Sequence, residues 1–265
     1  MPILTLNAGN LTVIAPPGRI LQQVAIDILS GITVPIFRPT VLYVGADVLE
    51  RQDLAGLAVG VQTEQLFDDD GRKLWNNYSA RRVRKMVARF DAVLELSPCN
   101  APVYADLSDE EARKVTYGPH IFPDFVPPLV EGSGPPIFYG TPTERRKPIL
   151  RQLAAQHGVE RVQRGTFGDD LAPLVAAASA VVNIHIDEGV YTEYPRLLNA
   201  YLNGKVVMSE KLAAPLEAGR DYADIAQPFD ASMAPGLFRN FAAFAQQHKA
   251  SAFLNACHLP AVARA

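Results

Sequence analysis

Residues that could bind a charged ligand are concentrated after one apolar run, at 180–186. The run predicts a buried strand that ends near His185, and apolar spacing from 193 onward predicts a helix. Glu193 and Arg196 stand in the first turn of that helix. A carboxylate and a guanidinium at a helix start could bind a ribose hydroxyl and a phosphate. The alternative is that the acidic residues complement the helix dipole and pair with Arg196.

A second group of candidates follows an apolar run at 137–139. Gly140 would let the backbone approach a ligand, and the basic residues at 145–147 could neutralise a diphosphate. The alternative is a solvated first turn of a helix. Three basic residues there oppose the helix dipole, which costs roughly a few tenths of a kcal/mol unless an anion compensates. That cost favours a binding role.

In the N-terminal half, candidates follow two further apolar runs, at 57–61 and 92–96. Glu64 comes after the first run and Asn100 after the second. A carboxylate at a strand end could act as general base on an acceptor hydroxyl, or orient that hydroxyl. A surface carboxylate held in a salt bridge is the alternative. His120, further along the chain, is a second candidate base.

Familiar catalytic signatures are absent from the sequence. It holds no P-loop, no GxGxxG fingerprint, no GxSxG elbow, and no HExxH or Cys/His zinc spacing. The acidic run at 68–70 lies in a polar stretch followed by Gly71 and is interpreted as a solvated turn rather than a DxD metal motif. We therefore expect no metal requirement and no cofactor.

Composition excludes several classes of protein. The chain is 48% hydrophobic and 20% charged, which is typical of a globular protein. Its net charge of −3 argues against a general nucleic-acid binder. No apolar stretch is long enough to span a bilayer, and the first ten residues do not resemble a signal peptide. The two distant cysteines, Cys99 and Cys257, read as buried thiols in a reducing compartment, so a cytoplasmic location is expected.

Strand and helix patterns alternate along the chain, as in βαβ units that build a parallel sheet. The acidic pair at 169–170 is expected to cap one helix, and Gly204 to follow the end of another. The predicted helices are 19–29, 79–90, 145–157, 169–178, 193–202 and 238–257. The predicted strands are 3–6, 11–14, 41–44, 57–61, 92–96, 137–139, 159–162, 180–186 and 205–208.

Prolines crowd into 119–136, where they exclude a helix or a central strand and indicate a junction between two lobes. The predicted fold is α/β, with two Rossmann-like lobes whose parallel sheets face each other across a cleft. The predicted organisation is an N-terminal lobe at 1–125, a linker at 126–135, a C-terminal lobe at 136–240, and a C-terminal helix and tail at 241–265.

The motifs above resemble those of the GT-B glycosyltransferases, especially bacterial ones with a strand ending in NIH and an ExxR helix. The matching residues are 183–185 (NIH), Glu193 with Arg196, and the FYGTPTERR segment at 138–146. Two looser matches lie in the N-terminal half, at Glu64 and at Ser97 with Asn100. The resemblance covers the C-terminal lobe well and the N-terminal lobe loosely.

The resemblance implies that the C-terminal lobe holds a nucleotide-sugar donor and the N-terminal lobe a hydroxyl acceptor. By it, the expected donor contacts are Gly140, Thr141, Arg145, Arg146, His185, Tyr191, Glu193, Arg196 and Asn199. The expected acceptor-side residues are Glu64, Gln65, Asn100 and His120. Glu64 and Arg196 are the expected catalytic residues.

One departure from the family pattern concerns stereochemistry. Retaining members commonly carry two glutamates eight residues apart, and Tyr191 and Asn199 stand at those positions here. The sequence therefore leaves retention and inversion both open.

The expected function is metal-independent transfer of a sugar from a nucleotide sugar to a hydroxyl, most simply that of a saccharide. Two alternatives are an inactive relative that binds a nucleotide sugar and an epimerase of the same fold. A further variant is glycosylation of modified DNA bases, with the basic helix face of Arg81, Lys85 and Arg89 on phosphates.

Overall fold

The structure is a computed structural model that describes residues 1–74 and 80–258. It is an α/β fold with two mostly parallel sheets, which confirms the predicted class. The chain divides into two compact units. Unit 1 comprises Met1–Phe125 together with the C-terminal segment from Ala245, and unit 2 is Val126–Phe244.

The sheet of unit 1 has the strand order β1-β2-β3-β4-β5-β6, which is also the order along the chain. The first pair is antiparallel and the other pairs are parallel. The elements are β1 (Leu4–Ala8), β2 (Leu11–Ala15), α1 (Arg19–Gly31), β3 (Thr40–Val44), β4 (Leu57–Gln62), α2 (Ala80–Arg89), β5 (Ala92–Glu95), α3 (Asp109–Ala112) and β6 (Val115–Tyr117). A 3-10 helix, Pro98–Tyr104, follows β5.

Helix α2 supplies much of the core of unit 1. Val83, Met86 and Val87 recur at helical spacing and are fully buried against the sheet residues Val41 and Tyr43. The inner face of this helix is therefore the one that its periodicity predicts. The predicted first residue of the helix, at position 79, lies outside the described residues.

The sheet of unit 2 has the order β11-β10-β9-β7-β8 and is parallel throughout its named pairs. Renumbered from β7, this is the doubly wound order 2-1-3-4-5. The strand order reverses between β7 and β9, because β8 lies on one side of β7 and the later strands lie on the other. The elements are β7 (Ile137–Phe138), α4 (Arg146–His157), β8 (Glu160–Arg161), α5 (Ala172–Ala177), β9 (Val181–Asn183), α6 (Tyr194–Leu202), β10 (Val207–Ser209) and β11 (Ala223–Asp224). Helices α7 (Ala234–Gln247), which contains the unit boundary, and α8 (Ala250–Ala256) complete the chain.

Two helix predictions were wrong in detail. The acidic pair at 169–170 does not cap a helix but ends a short 3-10 turn, and α5 starts two residues later because Pro173 suits a first helical turn. The single helix predicted at 238–257 is broken into α7 and α8. The main chain of Phe122 bonds both His248 O and the Ala250 amide there, so Lys249 is held extended.

The end of α6 confirms the prediction for Gly204, which follows the C-cap residue at φ 67°. A Cβ there would lie 2.2 Å from the carbonyl oxygen of Pro128, so only glycine fits. The next residue, Lys205, is buried and donates from Nζ to the carbonyls of Val130, Ala176 and Ala178 at 2.7–2.8 Å. The segment predicted as a linker therefore packs closely on α5 and α6 of unit 2.

The described helices include no segment with the length and apolar character that a bilayer crossing needs.

Candidate functional site

The predicted donor residues surround the point where the strand order of unit 2 reverses. Ligands of doubly wound sheets bind at such a point, beyond the carboxyl ends of the strands. The loop after β7 begins with Tyr139, Gly140 and Thr141, and the loop after β9 begins with Ile184 and His185. The two loops therefore lie on either side of the crevice at the strand-order reversal. The residues predicted to bind a donor are in and around these loops.

Arg146 joins these two loops. The residue begins α4 and is 3% exposed. Its Nε donates to the carbonyls of Ile184 (2.8 Å) and His185 (3.2 Å), and its Nη1 to that of Thr141 (3.2 Å). Nη2 donates to Glu193 Oε1 at 3.0 Å. The guanidinium is committed to the protein, so Arg146 holds the site together and is a poor candidate for direct contact with a diphosphate.

Glu193 lies between two guanidinium groups. Its Oε1 accepts from Arg146, and its Oε2 accepts from Arg196 Nε at 3.1 Å. The carboxylate is 19% exposed and the Arg196 side chain 13%. This triad carries two positive charges and one negative, so one positive charge is left over at a partly buried position.

Arg196 keeps a donor that the protein does not use. Its Nη1 donates to the carbonyl of Tyr139, and its guanidinium lies over the rings of Phe138 and Tyr139, 5.5 and 5.4 Å from their centroids. Within residues 1–74 and 80–258, Nη2 has no hydrogen-bond acceptor. Gly140 lies beside it, exposed and at φ 143°, and a Cβ there would stand 3.2 Å from Nη2. The glycine thus leaves one edge of the guanidinium open.

Arg145 is paired with Glu210, at the end of β10. Nη1 and Nη2 of Arg145 bond the two carboxylate oxygens at 2.9 and 2.6 Å, and Nη1 also bonds the carbonyl of His185. Glu210 in turn accepts the amide of His185 at 2.7 Å. Although burial acts to raise it, the pKa of Glu210 is lowered on balance by these bonds. Nothing in the sequence indicated that Glu210 is the partner of Arg145, because the two residues are far apart in the chain.

The positive charges in the first turn of α4 are therefore each paired with a carboxylate of the protein. Arg145 pairs with Glu210, Arg146 with Glu193, and the exposed Lys147 with Glu144. The expectation that these cations need an external anion does not hold, because carboxylates of the protein already supply the negative charge. Arg196 is the cation that keeps an open donor.

His185 and Tyr191 lie beneath the site. Both are 1% exposed, and their rings contact each other at a centroid distance of 4.2 Å, tilted by 31°. Nε2 of His185 bonds the carbonyl of Lys211 at 2.9 Å, and burial lowers the pKa of the ring. The Tyr191 hydroxyl accepts the amide of Asp187. These two residues, which were predicted as donor contacts, are buried and bond the main chain of nearby loop residues; they do not face solvent.

Asn199, on α6, is half-buried and accepts the hydroxyl of Tyr139 at 2.8 Å through Oδ1. It therefore holds the aromatic ring over which Arg196 lies.

The predicted acceptor-side residues all lie at the carboxyl edge of the sheet of unit 1. Glu64 and Gln65 follow β4, Asn100 follows β5, and His120 follows β6. The side chain of Asn100 is buried, and both its oxygen and its nitrogen make hydrogen bonds. His120 stacks on Phe253 at 5.7 Å and lies 4.9 Å from the ring of His248, and burial lowers its pKa.

Sequence reasoning missed Glu95, the last residue of β5. It is 0% exposed, and its burial raises the pKa of the carboxyl to about 8. Oε1 accepts from the amide of Ser97 and from Asn100 Nδ2, each at 2.9 Å, and Oε2 accepts from the Tyr104 hydroxyl at 2.7 Å. The available signal was a lone carboxylate inside an apolar run, at the end of a central parallel strand.

Among residues 1–74 and 80–258, no three His, Cys, Asp or Glu side chains come together as a metal site needs, and metal independence stays a prediction. No known family model matches the chain, and no curated protein matches it significantly.

Proposed function

We propose that this protein is a glycosyltransferase of the GT-B type that binds a nucleotide-sugar donor on unit 2. The observation that carries the proposal is Arg196, whose Nη2 has no acceptor among the described residues and lies beside the exposed Gly140 at the strand-order reversal. A guanidinium donor of this kind binds phosphate oxygens strongly. The position is also where doubly wound sheets bind nucleotides.

In this proposal Arg196 contacts the donor diphosphate and stabilises the charge that develops on it as the bond to the sugar breaks. The surplus positive charge of the triad favours an anionic ligand without the cost of two unpaired buried cations. Glu193 is 19% exposed and keeps lone pairs that could accept a ribose hydroxyl. Arg145 and Arg146 position the loops and are not assigned to the ligand.

On unit 1, Glu64 would take the proton of the acceptor hydroxyl, and that oxygen would then form the bond to the anomeric carbon. The nucleoside diphosphate leaves with the electron pair of the broken bond. The carboxylate is half-buried and follows a parallel strand, as a base at a binding edge should.

A donor-turnover assay tests the proposal. Release of the free nucleotide is measured with mixed saccharide acceptors: UDP, GDP or dTDP from the diphosphate sugars, and CMP from CMP-sugars. Arg196→Lys keeps the charge but loses the planar fork, so we expect a loss of about a hundredfold in turnover. Arg164→Ala, an exposed arginine after β8, is the matched control and should leave turnover unchanged. An Arg196→Lys variant as active as that control would refute the assignment.

A second candidate is an inactive relative that binds a nucleotide sugar without turning it over. It is favoured by the residues at the two-glutamate positions. Tyr191 is buried under the site, and Asn199 is committed to Tyr139, so neither position offers a carboxylate. Binding by wild-type protein without release of product from any donor would select this candidate.

A further inference from the structure

The backbone of Glu64 is held from both sides by buried side chains. Its amide donates to Gln62 Oε1 at 3.1 Å, and its carbonyl accepts from Asn100 Nδ2 at 2.8 Å. Both partners are 0% exposed. Oδ1 of Asn100 also accepts the amides of Leu66 and Phe67, at 2.8 and 3.2 Å. One side chain thus determines the course of the loop that carries the candidate base.

Asn100 works only in one orientation. Its oxygen must face the two loop amides, and its nitrogen must face the carbonyl of Glu64. A primary amide has similar ends, so something must distinguish them. Glu95 does so, because its Oε1 accepts the second hydrogen of Asn100 Nδ2 at 2.9 Å. A flipped amide would place two oxygens against each other inside the protein.

Among the described residues, the groups that contact Glu95 are uncharged. Its hydrogen-bond partners are a backbone amide, the amide of Asn100 and the hydroxyl of Tyr104. The titratable groups that face it are Tyr104 and, from β6, Tyr117, whose pKa is raised by burial and then by Glu95. Burial raises the pKa of Glu95 itself to about 8, so at neutral pH it is a carboxylic acid. Because Oε1 already accepts two hydrogen bonds, the proton then lies on Oε2, which donates to the Tyr104 hydroxyl; the ionised form accepts from that hydroxyl instead.

We propose that Glu95 is a positioning residue, which fixes Asn100 and through it the loop bearing Glu64. We call Gln62, Glu95 and Asn100 the polar frame. The importance of Glu64 rests on the proposed function, whereas the polar frame can be tested without any substrate.

Hydrogen–deuterium exchange of the backbone amides at 64, 66 and 67 tests the polar frame in the full chain. Glu95→Gln is neutral and can keep all three bonds, because its amide nitrogen can donate to Tyr104. Glu95→Val removes the acceptor of the Ser97 amide and of one hydrogen of Asn100 Nδ2, while the bond from Asn100 Nδ2 to the Glu64 carbonyl can remain. Val93→Ala, in the same strand and also 0% exposed, is the control for a general loss of stability.

We expect Glu95→Val to raise exchange at these amides about tenfold or more beyond the rise in Val93→Ala. Glu95→Gln should stay within about twofold of wild type. Between pH 7 and 9, wild type should also gain exchange beyond the ordinary base-catalysed increase, and Glu95→Gln should not. Equal exchange in Glu95→Val and Val93→Ala, or a pH response that persists in Glu95→Gln, would overturn the proposal.

The two proposals fail separately. If exchange follows the expectation but Glu64→Gln leaves turnover unchanged, the polar frame stands and the role of Glu64 as base falls. If Glu64→Gln abolishes turnover while Glu95→Val leaves exchange unaltered, Glu64 keeps its role and Glu95 loses its own.

Discussion

Within each unit, the loops at the carboxyl edge of the sheet are joined by hydrogen bonds between side chains and loops, but the two units use groups of different charge. In unit 2, the loops are joined by ion pairs, chiefly Arg146 with Glu193 and Arg145 with Glu210. In unit 1, they are joined by uncharged groups, Glu95 as a carboxylic acid and Asn100 as an amide. A charged arrangement can keep a surplus charge for a ligand, whereas a neutral one fixes geometry without attracting ions.

The topology explains part of this difference. At the reversal in unit 2, the loops after β7 and β9 present the carbonyls of Thr141, Ile184 and His185 toward one position, and a guanidinium can satisfy all three. The strands of unit 1 follow one another in chain order, so its loops come from immediate neighbours. There, one amide donates to a carbonyl and accepts from two backbone amides.

The largest effect that we expect is from removing Arg146. Arg146→Ala removes the donor of the Ile184 carbonyl, takes one of two donors from the carbonyls of Thr141 and His185, and leaves Glu193 with one cation instead of two. The free energy of unfolding should fall by about 3–5 kcal/mol, measured by urea denaturation. Lys147→Ala, on the same turn but exposed, should change it by less than about 0.5 kcal/mol. Similar values for the two variants would show that the charged arrangement does not hold unit 2 together.

Glu95 should make stability fall as the pH rises from about 4.5 to about 8. Its pKa in the folded protein is raised from 4.5 to about 8, so the folded state retains a proton that the unfolded state has lost. The stabilisation is complete below about pH 4.5 and declines as the pH rises through 8. Between pH 5 and 9 the decline should reach about 2–4 kcal/mol. Urea titrations of Glu95→Gln should lack it; an equally steep profile would assign the titration elsewhere.

A methyl group at Gly140 should affect both stability and ligand binding. Gly140→Ala places a Cβ in a backbone conformation at φ 143° and 3.2 Å from Arg196 Nη2. We expect a loss of about 1–2 kcal/mol in the free energy of unfolding. Gly71→Ala, also at positive φ but with open space around it, separates backbone strain from crowding of the arginine. If both variants bind nucleotide equally well, the open edge of Arg196 is not the site.

The smallest effect is expected from His248, as a loss of stability at acidic pH. Burial, and then the neighbouring His120, lower the pKa of His248 to about 4. The unfolded state therefore gains a proton first, and stability is lost as the pH falls from about 6.5 toward 4. After allowance for partial solvent exposure the loss should be about 1 kcal/mol. Thermal unfolding of His248→Gln between pH 7 and 4 should show a shallower decline than wild type.

The sequence predicts local features of this molecule better than its long-range ones. The periodicity of α2, the alternation of strands and helices, and the glycine after α6 all follow from near neighbours in the chain. The strand order of unit 2 does not, because it depends on which strands pair. For the same reason, the bond from Arg145 to Glu210, 65 residues away, could not be foreseen.

The candidate site shows the same limit. The residues around the strand-order reversal were expected from the resemblance to the GT-B glycosyltransferases. The different roles of these residues were not predicted from the sequence. Arg146 and Arg196 look alike in the sequence, yet one is surrounded by carbonyls and the other keeps an open donor beside Gly140. Glu95, which was not singled out from the sequence, is buried and contacts Asn100 within the polar frame.

The most direct test of the account is calorimetric titration of UDP, GDP, CMP, dTDP and their sugar conjugates into wild type, Arg196→Ala and Arg164→Ala. We expect one nucleotide to bind wild type and Arg164→Ala equally. Its affinity for Arg196→Ala should fall by about tenfold or more, because a charge-assisted hydrogen bond is lost. Thermal unfolding of each variant confirms that it is folded. The result that would contradict the account is a nucleotide that binds Arg196→Ala as tightly as wild type, or no nucleotide that binds at all.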